Sequence, residues 1–305
     1  METPLFAELQ MRASVSKQNH DIWIIVVLLY YLQYFTGFII KGILMASKSN
    51  TNSDITVLKV GGSAVTDKSA SVGQAKEDEM IRIAKEIAEF SGKLVIVHGA
   101  GSYGHVYAKQ YGLDKGFHEE GFLKTHDSVR KLNEMIVQTL RKEGIPAVPL
   151  NPLSFSVCND GRLTYLYTAQ ISEMLSHNLV PVLHGDVCMD TTRGACILSG
   201  DQSLPYVAAA LGAKRVGLGS ATDGVLDSAG CTIPKITPKT FDSFKSHIGG
   251  SAGTDVTGGM LGKVSEILEL AEKTGIESRI FNANISGSVS DYLNGKSIGT
   301  LICRD

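Results

Sequence analysis

A fully apolar run, Leu94-Val-Ile-Val97, passes through His98 directly into the glycine-rich turn Gly99-Ala-Gly-Ser-Tyr-Gly104, which closes on His105. No other stretch of the 305 residues narrows the choice of folds as far. A short run that is apolar at every position reads as a strand buried on both faces, the kind found inside parallel sheets. A turn of small residues after such a strand exposes backbone N–H groups, and a helix starting there adds the positive end of its dipole. That combination suits a phosphate. A bare phosphate cradle needs no histidine, so His105 points to an anion recognised by a titratable, hydrogen-bonding side chain.

The rest of the chain repeats this layout. Past Asp54, Ile55–Val60 reads as a second buried strand running into Gly61-Gly62-Ser63. Further strands are expected at Pro146–Leu150, Leu179–Leu183, Arg215–Leu218 and Arg279–Asn282. The spacing of Ile81, Ile83, Ala84, Ile87 and Ala88 predicts an amphipathic helix over Gln74–Phe90, ended by Gly92. A longer helix is expected over Phe122–Glu143, with shorter ones at Ser203–Leu211 and Val264–Lys273, and a β-hairpin over Val187–Leu198. Such alternation implies an α/β chain whose mostly parallel sheet is covered by helices on both faces.

Charge and cysteine content exclude several classes. With 29 Lys+Arg against 31 Asp+Glu the net charge is −2, and the basic surface of a nucleic-acid binder is missing. Cys158, Cys188, Cys196, Cys231 and Cys303 show no CxxC spacing, so neither a zinc site nor a disulfide framework is implied, and a reducing, cytoplasmic compartment fits. One stretch departs from the soluble pattern. Residues 22–40 carry no charge and, as a helix at ~1.5 Å per residue, would span about 28 Å, the thickness of a bilayer's hydrocarbon core. Lys41 and Lys48 on its far side favour a cytosolic position for the remainder of the chain. Met45 in turn opens a polar lead-in of the sort that starts many cytosolic chains. Residues 1–54 therefore read as an extension that holds either a membrane anchor or an upstream start, and residues 55–305 hold the chemistry.

Three glycine turns carry that chemistry. Leu58-Lys-Val-Gly-Gly-Ser-Ala-Val-Thr-Asp-Lys68 sets Lys59 and Lys68 on either side of Gly61, Gly62 and Ser63, so backbone can approach an anion between two point charges. A tight turn with solvated lysines is the plainer alternative. The second turn, at Gly99, also satisfies GxGxxG. A dinucleotide fold, however, wants an acid ending the next strand roughly 20 residues on, and Glu119 and Glu120 fall in a glycine-bounded loop. The third turn, Thr254-Asp-Val-Thr-Gly-Gly-Met-Leu-Gly-Lys263, repeats the glycine–lysine logic. Together the three describe a pocket for several phosphates. Ser199-Gly-Asp201 and Thr222-Asp-Gly224 each add a carboxylate that orients a lysine, contacts a nucleotide or, more simply, caps a helix. His118, His126, His177, His184 and His247 lack metal-ligand spacing, and no residue is assigned to a metal.

On the motifs GGSAVTDK, HGAGSYGH, THDSVRKLN, SGDQ, DVTGGMLGKV and GTLI, residues 55–305 resemble the amino-acid-kinase superfamily and, within it, the isopentenyl phosphate kinases. The resemblance implies the amino-acid-kinase fold, an αβα sandwich on a largely parallel sheet, in a homodimer. It implies an acceptor-binding N-terminal half, an ATP-binding C-terminal half, ATP and Mg2+ as cofactors, and an isoprenoid monophosphate as the acceptor, converted to its diphosphate. Lys59, Gly61, Gly62 and Ser63 would approach the transferring phosphates, and Lys68 would stabilise the transition state. Ala100 and Gly200 would line the acceptor site, where His105 would bond the acceptor's phosphate. Gly101, Asp223, Gly259 and Lys263 would serve ATP. The acceptor's apolar tail would lie along Phe122–Val137. Gln202 departs from the pattern, standing where many relatives carry a second acid, and the loop at Ala221–Gly224 is short; both would bear on ATP binding. Two other readings stay open: a kinase for another small phosphate or phosphonate acceptor, and a nucleotide-binding regulator without turnover.

Overall fold

The structure is a computed structural model that describes residues 54–67, 70, 73–248 and 259–305. The apolar segment 22–40, Lys68 and the start of the third glycine turn lie outside the described residues. Twelve strands are present among the described residues: β1 Thr56–Val60, β2 Leu94–His98, β3 Ala147–Pro149, β4 Ser156–Asn159, β5 Arg162–Leu166, β6 Val180–His184, β7 Asp186–Asp190, β8 Gly194–Leu198, β9 Arg215–Ser220, β10 Lys235–Ile236, β11 Glu277–Asn282 and β12 Thr300–Ile302. The helices are α1 Gly62–Val65, α2 Glu77–Ala88, α3 Gly101–Gln110, α4 Glu119–Lys142, α5 Ala169–Ser176, α6 Gly200–Leu211, α7 Pro238–Ile248, α8 Gly259–Thr274 and α9 Ser288–Leu293.

Eight strands form the main sheet in the order β10-β12-β11-β9-β1-β2-β6-β3. Every pairing is parallel except β11 with β12. Alternate residues of the central strands face opposite layers, as strand geometry requires. Val57, Val95 and Val97 join Leu204 of α6 and Ile267 of α8 on one face. Leu58, Val60 and Ile96 join Ile83 of α2 and Leu132 and Val137 of α4 on the other. The result is the expected αβα sandwich. A second, four-stranded sheet runs in the order β5-β4-β7-β8 and contains the expected hairpin as β7 and β8.

Element boundaries depart from the sequence reading where polar contacts decide them. Glu119 and Glu120, expected in a loop, open α4, because His118 caps the helix by accepting the N–H of Gly121 at 3.2 Å. No strand separates β2 from these acids, so the dinucleotide reading fails as expected. The helix expected from Gln74 starts at Glu77, since Ala75 is held in a bridge to Thr66. Strands β4 and β5 have no counterpart among the expected elements. Among the described residues, no helix is long and apolar enough to cross a membrane.

Candidate phosphate-binding site

A cleft of about 270 Å³ lies over the carboxyl ends of β1, β2, β6 and β9, the place where open parallel sheets gather ligands. Four helices, α1, α3, α6 and α8, begin at its wall with Gly62, Gly101, Gly200 and Gly259. The first N–H groups and positive dipole ends of α3 and α6 border this volume, which suits a negatively charged ligand.

The glycines serve a second purpose that the sequence did not reveal. A Cβ on Gly62 would stand 2.5 Å from the Gly101 nitrogen, and one on Gly99 would stand 2.5 Å from the Gly62 nitrogen. The first two glycine turns therefore touch backbone to backbone, and neither tolerates a side chain. Gly101 also adopts φ +53°, where a Cβ would collide with Thr66 Oγ1.

Charge enters from three side chains. Lys59, buried on β1, donates from Nζ to Asp201 Oδ1 at 2.5 Å. Lys263 Nζ stands 3.8 Å from the other oxygen, Oδ2, and donates to the carbonyl of Gly259 at 3.2 Å. Asp201 thus aims two lysines at the same cleft. The helix cap expected of it is not formed, since Ser199 occupies that position and α6 has no side-chain cap.

The strand ends beside this cluster are fixed by a pair of buried histidines. His98 and His184 are register partners on β2 and β6, with ring centroids 5.6 Å apart. Each Nδ1 donates to the carbonyl of the following glycine, Gly99 at 3.1 Å and Gly185 at 3.0 Å. Each Nε2 meets a side-chain amide, that of Asn133 at 3.1 Å and that of Asn151 at 3.2 Å. Burial, reinforced by His184, pushes the His98 pKa down to about 3, and burial lowers that of His184, so both rings stay neutral. At the far wall, His126 Nδ1 donates to Asp186 at 3.0 Å; that bond raises its pKa against the effect of burial. The hydroxyl of Thr125, also on that wall, is buried without a hydrogen-bond partner.

Of the residues singled out from the sequence, Lys59, Gly61, Gly62, Ser63, Ala100 and Gly101 all line this cleft. So do His105, Gly200, Gly259 and Lys263. Asp223 does not; it is exposed on the loop after β9, where Asn282 Nδ2 donates to it at 2.8 Å. Gln202 faces away from the cleft's phosphate end and binds the β4–β5 hairpin instead, with its Oε1 accepting the Leu163 N–H at 2.9 Å. Asp186 and Thr125 were missed, because no spacing marks a lone polar residue that only the fold brings to a pocket.

Fold and site together define an α/β protein built to hold phosphates between glycine turns and lysines. The amino acid kinase family model matches residues 54–282. The isopentenyl phosphate kinase of Methanothermobacter thermautotrophicus is 38% identical over 266 residues, covering 81% of this chain and 98% of that protein. The isopentenyl phosphate kinase of Haloferax volcanii is 40% identical over 254 residues, with the same coverages. A solved isopentenyl phosphate kinase structure superposes with a TM-score of 0.71 at 33% identity, covering 81% of this chain and all of that one. The chain belongs to the amino acid kinase family, in its isopentenyl phosphate kinase branch.

Proposed function

We propose that the chain transfers the γ-phosphoryl group of ATP to isopentenyl phosphate, giving isopentenyl diphosphate and ADP. The observation that carries this reading is the convergence of His105, the two glycine turns and the Lys59–Asp201–Lys263 cluster on one cleft. The similarity to isopentenyl phosphate kinases over nearly their whole length supports it.

The acceptor is itself a phosphate monoester, mostly ionised at neutral pH, since its second pKa is about 6. Its oxygen needs no general base. Transfer then depends on holding two anions in line and neutralising the charge that spreads over the moving phosphoryl group. His105 donates to the acceptor's phosphate, and Ala100 and Gly200 form the floor beneath it. Lys59, with Gly61, Gly62 and Ser63, contacts the phosphates between which the group moves. Lys68, which lies outside the described residues, is assigned by resemblance to stabilising the transition state. Gly101, Gly259 and Lys263 serve ATP, and Asp223, exposed outside the cleft lining, is assigned to ATP by resemblance alone. The acceptor thus binds mainly in the N-terminal half of 55–305 and ATP mainly in the C-terminal half, with Gly200 and Gly101 each crossing that division.

Mg2+ enters with the nucleotide, as part of the MgATP substrate. Asp201, the carboxylate nearest the lysines, is already engaged by both of them, and among the described residues no cluster of three His, Cys, Asp or Glu side chains would hold a metal. A homodimer and a cytosolic site for the kinase domain belong to the same reading.

The test is isopentenyl diphosphate formation from isopentenyl phosphate and ATP, in wild type and in His105→Ala. The variant is expected to lose about 10²-fold in kcat/KM for the acceptor. Full activity in the variant would remove the role given to His105, and no product from wild type would remove the function.

A further inference from the structure

Gly161, in the turn between β4 and β5, is held from two sides. Its N–H donates to Asp190 Oδ2 at 2.7 Å, and its carbonyl accepts from Gln202 Nε2 at 3.2 Å. The same Gln202 side chain accepts the Leu163 N–H at 2.9 Å. Arg162, between those two positions, forms a two-pronged ion pair with Glu266, one prong measuring 3.0 Å. Gln202 follows Asp201 on α6, and Glu266 stands three residues past Lys263 on α8. The hairpin is therefore tied to the two helices that present the charged cluster.

The tie continues to the opposite wall of the cleft. Asp190, at the end of β7, also accepts the N–H groups of Asp160, Thr192 and Arg193, at 3.1, 2.9 and 2.8 Å. One carboxylate so fastens the β4–β5 turn to the β7–β8 turn. From there β7 and β8 run back to the cleft, where Asp186, Ile197 and Leu198 form its wall beside Thr125 and Val129.

We propose that Gln202, helped by the Arg162–Glu266 pair, is a positioning residue that sets the acceptor wall at a fixed distance from Asp201 and Lys263. It touches neither substrate and acts through the accessory sheet. Arg162 is exposed, so solvent screens its pair with the mostly buried Glu266, and Gln202, with two bonds to backbone, carries most of the effect. The role in catalysis rests on the function proposed above, whereas the tie itself does not.

Gln202→Met keeps side-chain length and removes both bonds. The expected result is a fall of about tenfold in kcat/KM for isopentenyl phosphate, with KM for ATP held within about twofold. Amide hydrogen exchange across 156–166 and 186–198 is expected to quicken, while α6 and α8 keep wild-type protection. Arg162→Glu alone has a smaller effect, and combining it with Glu266→Arg restores the wild-type acceptor KM. Wild-type exchange in Gln202→Met overturns the tie. Equal rises in both KM values, alongside a lower Tm, overturn the positioning role and leave a structural one. If wild type itself makes no isopentenyl diphosphate, the proposed function falls and the exchange measurement alone judges the tie.

Discussion

In the eight-stranded sheet, every residue of β1 and β2 is buried, and the strands are locked by continuous parallel ladders between two apolar layers. In the four-stranded sheet, β4 alternates buried with exposed residues, and β5 buries only its last residue, Leu166. The β4–β5 hairpin is held largely by polar side chains, Asp190 and Gln202 above all, whereas β7 and β8 pack through Val187 and Ala195 against Ala108, Leu113 and Phe122. The two regions face each other across one cleft. Lys59, foremost of the groups that must neutralise developing charge, is mounted on the sheet whose central strands are wholly buried. The wall that must fit the acceptor is formed by β7 and β8 of the smaller sheet, whose outer hairpin, β4–β5, is held by a few replaceable polar bonds. Rigidity and adaptability are divided between the two walls.

The sharpest way to break this comparison is at the rigid wall. Lys59→Met is expected to lower kcat/KM by about 10³-fold, about 4 kcal/mol of transition-state stabilisation, since it removes a fixed cation from a mostly buried site. Steady-state kinetics, with circular dichroism confirming the fold, measures it. A loss below about tenfold would mean that charge on the main sheet does not drive transfer.

Next in size is Gly101→Ala, where the two glycine turns touch. The left-handed φ costs a non-glycine residue about 1–2 kcal/mol, and the collision with Thr66 adds a comparable amount, so a loss of about 3 kcal/mol in stability is expected. Thermal denaturation would show a Tm drop of roughly 6–12 °C. Asp190→Asn, on the other sheet, is expected to cost less, about 1–2 kcal/mol, because an amide still accepts part of the four-bond cap. Its more specific signature is faster hydrogen exchange in both turns with the main sheet unchanged. Uniform loss of protection would mean that the two sheets unfold as one unit and that the distinction drawn between them is wrong.

The same division explains what the sequence made legible. Continuous apolar runs such as Leu94-Val-Ile-Val97 can be read directly, because a strand buried on both faces has no polar partner to alternate with. All six main-sheet strands expected from the sequence are present, most within a residue or two of their expected ends. Strands β4 and β5 were not legible: SVCN and RLTYL are short, half exposed and stabilised by partners far along the chain. In the cleft, glycines, lysines and His105 could be recognised because several lie in compact motifs. Asp186, Thr125 and the hairpin-facing role of Gln202 could not, since each acquires its meaning from a contact across the fold. For Asp201 the sequence leaves three roles open, orienting a lysine, contacting a nucleotide or capping a helix, and the structure selects the first. A carboxylate at a helix start looks like a cap until its two lysines arrive from β1 and α8.

Acid titration separates the two regions with the smallest perturbation. Burial holds His98 neutral, with its pKa down at about 3, and depresses His184 as well. Below about pH 6.5 the unfolded chain binds protons that these folded rings resist, so stability falls as pH drops from 6.5; for His98 the fall runs toward 3 and amounts to about 1 kcal/mol between 6.5 and 5.5, and His184 adds to it in the same direction. Asp190 responds later. Burial raises its pKa, but the N–H groups of Arg193, Gly161, Thr192 and Asp160 together overcome that and bring it to about 2. Its contribution is complete above 3.8 and is lost as pH falls from there toward 2. His126 has the opposite sign: bonding to Asp186 raises its pKa, so its contribution is complete below 6.5 and lost as pH climbs through the folded value. Tm measured from pH 8 to 3 should therefore decline first through the main sheet and steepen below about pH 4 through the accessory one. Asp190→Asn should remove only the lower step, and His126→Gln should flatten only the neutral-to-alkaline side. A single acid step, untouched by Asp190→Asn, would show that the carboxylate linking the two turns does not hold the accessory sheet in place.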